Sequence, residues 1–141
     1  MLVYLDANCF HRPFDDQTQQ RIARETAAIL AVLRRIGSGL DELARSSALT
    51  LELSAHPVAE TRTELESWKR RCSRELTSNE AIRERAEHLA QNGLKPLDAA
   101  HVAFAETAGC AVFLTCDDRL LRAAGSILDP RNRIDAAQPR R

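Results

Sequence analysis

The chain has 141 residues, 44% hydrophobic and 28% charged, with equal numbers of basic and acidic residues and a formal net charge of zero. That balance predicts one soluble globular domain over residues 1–141 with a real core, and no apolar run approaches the roughly 20 residues that span a bilayer. A neutral molecule does not attract polyanions as a whole, and a start directly on an apolar strand, without a basic segment, predicts a cytoplasmic protein.

The first strand is predicted at about Leu2–Leu5, in "MLVYLDANCF", and it ends abruptly in Asp6. After "HRPFDD" a helix is predicted over Asp16–Ile36, because Ile22, Thr26, Ile29, Leu33 and Ile36 recur at helical spacing. Asp16 is its expected cap, with Gln19 three residues on. The stretch "GSGLDE" ends it.

"ARSSALTLELSAHP" reads as a short strand, Arg45–Ala48, and a short helix through Ala55. Pro57 suits the first turn of a further helix running to about Leu76, with Val58, Leu65, Trp68, Cys72 and Leu76 on one stripe. Thr77 and Glu80 form a capping box for the next helix, whose apolar face is Ile82, Ala86 and Leu89 and whose end is Asn92-Gly93. Pro96 opens an alanine-rich helix that Gly109 closes. Ala111–Leu114 is apolar without alternation, the pattern of a strand covered on both faces. "TCDDRLLRAAG" turns into a short helix, Ser126–Leu128 is read as a last strand, and residues from about 130 to 141 as a loose tail. Strands alternating with helices predict an α/β fold: an open parallel sheet with helices on both faces.

The four cysteines, Cys9, Cys72, Cys110 and Cys116, form no C-x-x-C pair, so a zinc site has no support and free thiols are expected. Among the 20 basic residues only Lys69 and Lys95 are lysine. Arginine forks onto phosphate oxygens, but a GC-rich genome produces the same bias. A mixed charged face such as that near Arg70 to Arg85 is ordinarily solvated.

In open α/β sheets ligands bind beyond the carboxyl ends of the strands. Asp6 follows the first strand, and Asp117 with Asp118 follows the Ala111–Leu114 strand. Asp98 lies in the first turn of the alanine-rich helix, and Glu52 just past the second strand. Each has an ordinary structural role open to it: strand end for Asp6, helix-dipole partner for Asp98, N-cap for Asp117, exposed helix residue for Glu52. Their joint placement on one predicted edge is the stronger signal. Carboxylates crowded together repel, and a hard dication such as Mg²⁺ or Mn²⁺ relieves that repulsion. Such an ion polarises phosphates and acidifies water, which is phosphodiester chemistry.

"VYLDANCFHRPF", "GLKPLDAAHVAFAETAG" and "AVFLTCDDRLLRAAG" resemble, in order, the PIN-domain family in the manner of VapC-type toxin ribonucleases, and "SSALTLELSAHP" fits its second acidic element. The resemblance spans nearly the whole chain. It implies a parallel α/β sheet (three layers, α/β/α), Mg²⁺ or Mn²⁺ as cofactor and hydrolysis of RNA to 5′-phosphate and 3′-hydroxyl ends. Carried over, Asp6, Glu52, Asp98 and Asp117 are the catalytic metal-binding acids, with Asp118 the neighbour if the register slips by one. Asn8 and Thr115 match positions that orient ligands or water, and Arg12 is a candidate phosphate contact. His101, three residues after Asp98, is read as structural. The resemblance also implies an RNA substrate, a small antitoxin partner and a homodimer. "HRPF" and the helix from Pro57 resemble a less-studied subset of the family, which bears on the toxin role more than on the nuclease role.

Two other readings compete. A haloacid-dehalogenase-like phosphatase also follows its first strand with aspartate, but needs a second aspartate where this chain has Asn8. A PIN scaffold that binds RNA or protein without turnover would not need all four acids.

Overall fold

The computed structural model of the chain describes residues 1–72, 74–127 and 135–137. Its elements in chain order are β1 (Leu2–Leu5), α1 (Ala7–His11), a 3-10 turn (Arg12–Phe14), α2 (Gln20–Gly37), β2 (Glu42–Ser46), α3 (Ser47–Ser54), α4 (Ala59–Lys69), β3 (Arg74–Leu76), α5 (Glu80–Gln91), α6 (Pro96–Ala108), β4 (Val112–Leu114), α7 (Asp118–Ile127) and β5 (Asp135–Ala137). The five strands form one sheet in the order β3-β2-β1-β4-β5, and every pair is parallel.

The apolar run of β1 explains its central place. Val3, Tyr4 and Leu5 are buried, and the strand is paired on both sides: Val3 with Leu43 of β2 and Val112 of β4, Leu5 with Leu114. Tyr4 stacks on Phe113 at 5.4 Å between ring centroids. The chain leaves β1 toward β2 and β3 on one side, and later leaves β4 toward β5 on the other. The connections after β1 and β4 therefore part above two adjacent strands, and that parting leaves a crevice at their carboxyl ends.

The helices seal the sheet with the faces their periodicity marks. α2 buries Ala28, Ile29, Leu33 and Ile36. α6 is buried almost all round, through Ala99, His101, Val102, Ala103, Phe104 and Ala105, and it ends at Gly109 in the left-handed conformation, φ 70°. Among the described residues no helix is long and apolar enough to cross a membrane.

Several expected boundaries move, each for a local reason. α2 begins at Gln20, not at Asp16, because the Asp16 carboxylate accepts from Thr18 N–H and Oγ1 in a turn of its own. β2 lies at Glu42–Ser46, earlier than Arg45–Ala48, because Ser46 Oγ accepts from Leu49 N–H and starts α3 there. The helix expected from Pro57 to Leu76 stops at Lys69, and Arg74–Leu76 is the edge strand β3, tied to β2 by an Arg45–Glu75 ion pair. Asn79, not Thr77, caps α5 through Ile82 N–H. Ser126 and Ile127 continue α7 and are not strand, while Leu128 lies outside the described residues. The tail expected to be loose contains β5, which extends the sheet beside β4. The four cysteines are free thiols as expected.

Candidate metal centre

The ends of β1 and β4 are knotted together around Asp6. Its backbone N–H donates to Leu114 O at 2.9 Å, which carries the ladder one step past Leu5. Its side chain caps α1: Oδ1 accepts from Ala7 N–H at 2.8 Å. Oδ2 accepts from Thr115 Oγ1 at 2.8 Å and from Asn8 Nδ2 at 3.1 Å. The same Thr115 hydroxyl accepts from Asn8 Nδ2 at 3.1 Å and from Asp117 N–H at 3.1 Å. One donor and two acceptor positions are all a hydroxyl has, so Thr115 is saturated. Asn8 Oδ1 closes the knot by accepting from Cys116 N–H at 3.0 Å.

Asp117, half-buried, starts α7 by accepting from Arg119 N–H at 2.9 Å. Its neighbour Asp118 is exposed and takes both Nη atoms of Arg21, at 2.8 and 2.9 Å. The two adjacent aspartates thus have separate tasks: Asp117 is held by the β4–α7 turn, whereas Asp118 neutralises a guanidinium.

Glu52 comes from α3, where its Oε1 lies 2.7 Å from His101 Nε2. His101 is fully buried on α6, and the same nitrogen is 4.0 Å from Asp6 Oδ1. One ligand atom from each of Asp6, Glu52 and His101 lies within 4.8 Å of the others, a spacing that suits a metal ion.

Asp98 stands one turn before His101, in the first turn of α6 that Pro96 opens. Burial, then Asp6, then Asp117 push its carboxyl up to about 6. Asp6 is also raised, by burial first and in part by Glu52, against the opposing pull of His101 and Thr115. These mutual effects place the four sequence-predicted acids in one electrostatic neighbourhood. Strand ends bring in Asp6 and Asp117, the first turn of α6 brings in Asp98, and the last turn of α3 brings in Glu52. A set of carboxylates with an amide and a hydroxyl nearby is the donor chemistry of a hard, oxygen-seeking dication.

Beside Asp117 and Asn8 opens a recess of about 590 Å³ whose wall carries Arg12, Arg21, Arg119 and Arg122. Arg12 and Arg21 converge on buried Glu25, at 3.6 and 3.4 Å, and Arg12 also pairs with Asp15. Among the described residues Arg119 and Arg122 have no ion pair, and both stand at least partly open to solvent. The sequence reading singled out only Arg12. Arg119 and Arg122 stand two and five residues past Asp117 on α7, a spacing that could have pointed to them.

A family model described as "PIN domain" matches residues 3–126. No functionally curated protein matches the chain. Among solved structures the chain is similar to VapBC2 from Rickettsia felis bound to a DNA fragment from their promoter, at 15% identity and TM-score 0.61, covering 98% of each chain. It is similar to DNA-bound VapBC from Salmonella typhimurium at 18% identity and TM-score 0.58, covering 96% of this chain and 98% of that one. It is also similar to FitAcB from Neisseria gonorrhoeae, at 16% identity and TM-score 0.58, covering 87% and 93%. At such identities the likeness to solved structures is one of fold, while the family match spans most of the chain. The chain belongs to the PIN-domain family.

Proposed function

We propose that this PIN-domain chain is a Mg²⁺- or Mn²⁺-dependent endoribonuclease and the toxin of a toxin–antitoxin pair. The nuclease reading is supported by the metal-ligand spacing of Asp6 and Glu52 beside His101, and by the charges of Asp6 and Asp117 that help push Asp98 up to about 6. Hydrogen bonds fix Asp6, Glu52 and Asp117, so the crowding is built in. When bound, a hard dication supplies Lewis acidity toward a phosphate oxygen and acidifies water.

Asp6, Asp98 and Asp117 would hold the ion, and Glu52 would complete the site or orient the attacking water. Asn8 and Thr115 keep Asp6 aimed at the crevice. The chain of an RNA would continue into the arginine-walled recess, where Arg119 and Arg122 are free to take phosphates and the charges of Arg12 and Arg21 are partly offset by Glu25. Arginines beside an acidic rim suit a polyanion threaded past a cation, and this arrangement favours nuclease over small-molecule phosphatase. The resemblance to VapC-type toxins and the VapBC assemblies of similar fold support a small antitoxin partner.

The test is digestion of single-stranded RNA by the purified chain. Cleavage is expected with Mg²⁺ or Mn²⁺, with loss on adding EDTA and at least a roughly 100-fold fall, on the order of the 2.7 kcal/mol that such a factor represents, in Asp6→Asn. Cleavage unaffected by EDTA or by Asp6→Asn would overturn the reading.

A further inference from the structure

A buried line of hydrogen bonds runs from β2 through β1 and α6 to Glu52. Leu49 N–H donates to Ser46 Oγ at 3.0 Å. Ser46 Oγ lies 2.6 Å from Tyr4 Oη, and Tyr4 Oη lies 2.6 Å from His101 Nδ1. His101 Nε2 then meets Glu52 Oε1 at 2.7 Å. Ser46, Tyr4 and His101 are each 0% exposed, so water cannot substitute for the bonds among them, whereas Glu52 at the far end is partly exposed.

The Glu52 end fixes the direction. An ionised carboxylate can only accept, so His101 donates from Nε2 and, as a neutral imidazole, accepts at Nδ1. Tyr4 therefore gives its proton to Nδ1 and Ser46 gives its own to Tyr4, while one Ser46 acceptor position takes Leu49 N–H. The opposite sense would leave the Ser46 hydroxyl proton without an acceptor among the described residues. It would also be needed to free the Nε2 lone pair for a metal. The line therefore opposes His101 as a ligand, although its position beside Asp6 and Glu52 suits one.

We propose that His101 and Tyr4 are positioning residues: His101 is a fixed N–H donor that pins one Glu52 oxygen, and Tyr4 fixes the tautomer that makes it a donor. Glu52 has three rotatable bonds on a partly exposed helix whose next residue back, Leu51, is 71% exposed. Without the pin it would swing away from Asp6, whose charge repels it. With the pin, Oε1 is fixed on His101, and Oε2 accepts no hydrogen bond among the described residues and is left for a cation. Outer partners of this kind set the affinity of a metal site as well as its geometry. The inference rests on the reading of the acidic rim as a divalent-cation site.

The experiment measures Mn²⁺ binding to the purified chain, without RNA, by electron paramagnetic resonance of the free ion. The variants are His101→Met, His101→Gln, Tyr4→Phe and Glu52→Gln, with circular dichroism to check the fold. His101→Met keeps the length but removes the donor, and a 10- to 100-fold, order-of-magnitude loss of Mn²⁺ affinity is expected. His101→Gln presents an amide N–H near the same place and restores affinity to within about threefold, on the scale of one retained hydrogen bond. Tyr4→Phe weakens binding less than His101→Met does. In the Glu52→Gln background His101→Met costs nothing more, because the pin acts only through Glu52. On RNA, kcat falls in His101→Met while KM holds.

Full Mn²⁺ affinity in a folded His101→Met would overturn the proposal. So would a His101→Gln as weak as His101→Met, since that is the behaviour of a ligand. If His101→Met does not fold, Tyr4→Phe alone and in the Glu52→Gln background gives the same comparison, and additive losses there would overturn it. Absence of Mn²⁺ binding by the parent chain would overturn the metal reading itself, an outcome distinct from all of these.

Discussion

Replacing Asp98 with Asn isolates the repulsion at the acidic rim. The carboxyl rises from 3.8 to about 6 because burial and the charges of Asp6 and Asp117 disfavour its ionised form. A carboxyl raised in this way holds its proton longer in the folded chain than in the unfolded one. Below the unfolded value both states are protonated and nothing is lost. As pH climbs from about 4 through 6 the unfolded state releases its proton first, and stability falls until both states are ionised. The full shift is equivalent to about 3 kcal/mol, and solvent screening at a half-exposed group reduces it to about 1–2 kcal/mol. Against this, the ionised carboxylate gains about 0.3–1 kcal/mol from the start of α6, which Asn forgoes.

The expected net is a gain of about 1 kcal/mol for Asp98→Asn at pH 7.5 in EDTA, or roughly 3 °C in Tm for a chain of this size. At pH 3, below the unfolded value, the two proteins should differ least. Saturating Mn²⁺ reverses the order: at about 100 times Kd it adds about 2.7 kcal/mol to the parent and less to the variant. Scanning calorimetry at several pH values, with EDTA and with Mn²⁺, reads all of this. An Asp98→Asn variant less stable than the parent in EDTA at pH 7.5 would refute the reasoning, as would a difference that does not change with pH.

Two further predictions concern the walls of the site. Arg119→Ala with Arg122→Ala should raise KM for RNA, leave Mn²⁺ affinity unchanged, and lower the slope of log affinity against log salt by about 1.4, the value for two phosphate contacts on a single strand. An unchanged salt slope would show that RNA does not use the recess. Thr115→Val should lower stability by about 2–4 kcal/mol in urea denaturation, because it removes a charge-assisted bond to Asp6 and strands Asp117 N–H. Thr115→Ser should recover most of that loss, and a Thr115→Val variant within about 0.5 kcal/mol of the parent, the scatter of roughly neutral surface changes, would contradict the knot.

The parts of the fold that were legible in the sequence are those with a strong local signal. Leu2–Leu5 and Val112–Leu114 are apolar runs that only a covered strand explains, and Pro96 and Gly109 bracket α6 by backbone chemistry. β3 was not legible, because Arg74, Glu75 and Leu76 are a short edge segment with two exposed charges, and Cys72 and Leu76 happen to prolong the helical stripe of α4. Asp6, Asp98 and Asp117 were legible because strand ends and helix starts are places the sequence marks, whereas Glu52, in the last turn of α3, was marked only by its nearness to β2. Their supports were not: Tyr4 meets Ser46 across 42 residues and His101 across 97, and Arg21 meets Asp118 across 97. No pattern along the chain encodes such pairs. They arise only when parallel pairing sets β1 between β2 and β4.

The four acids are not held alike, and the difference assigns Asp98 a distinct part. Asp6 accepts from Ala7, Asn8 and Thr115, Glu52 from His101, and Asp117 from Arg119 and Leu120. The Asp98 carboxylate accepts no hydrogen bond among the described residues. Donors stabilise the ionised form, and burial and like charge oppose it. Asp98 therefore feels the second influence without the first, which is why its carboxyl rises to about 6 while half-buried. A group without protein donors is also free to adjust. Under the proposed metal reading, Asp6, Glu52 and Asp117 would be held in place before a cation arrives, and Asp98 would be the side chain that adjusts to it. The ion's charge then acts most strongly on Asp98. At pH 6 Asp98 is about half protonated, so cation binding there should release about half a proton from it, and Asp98→Asn should abolish that share, which calorimetry in buffers of different ionisation enthalpy measures directly.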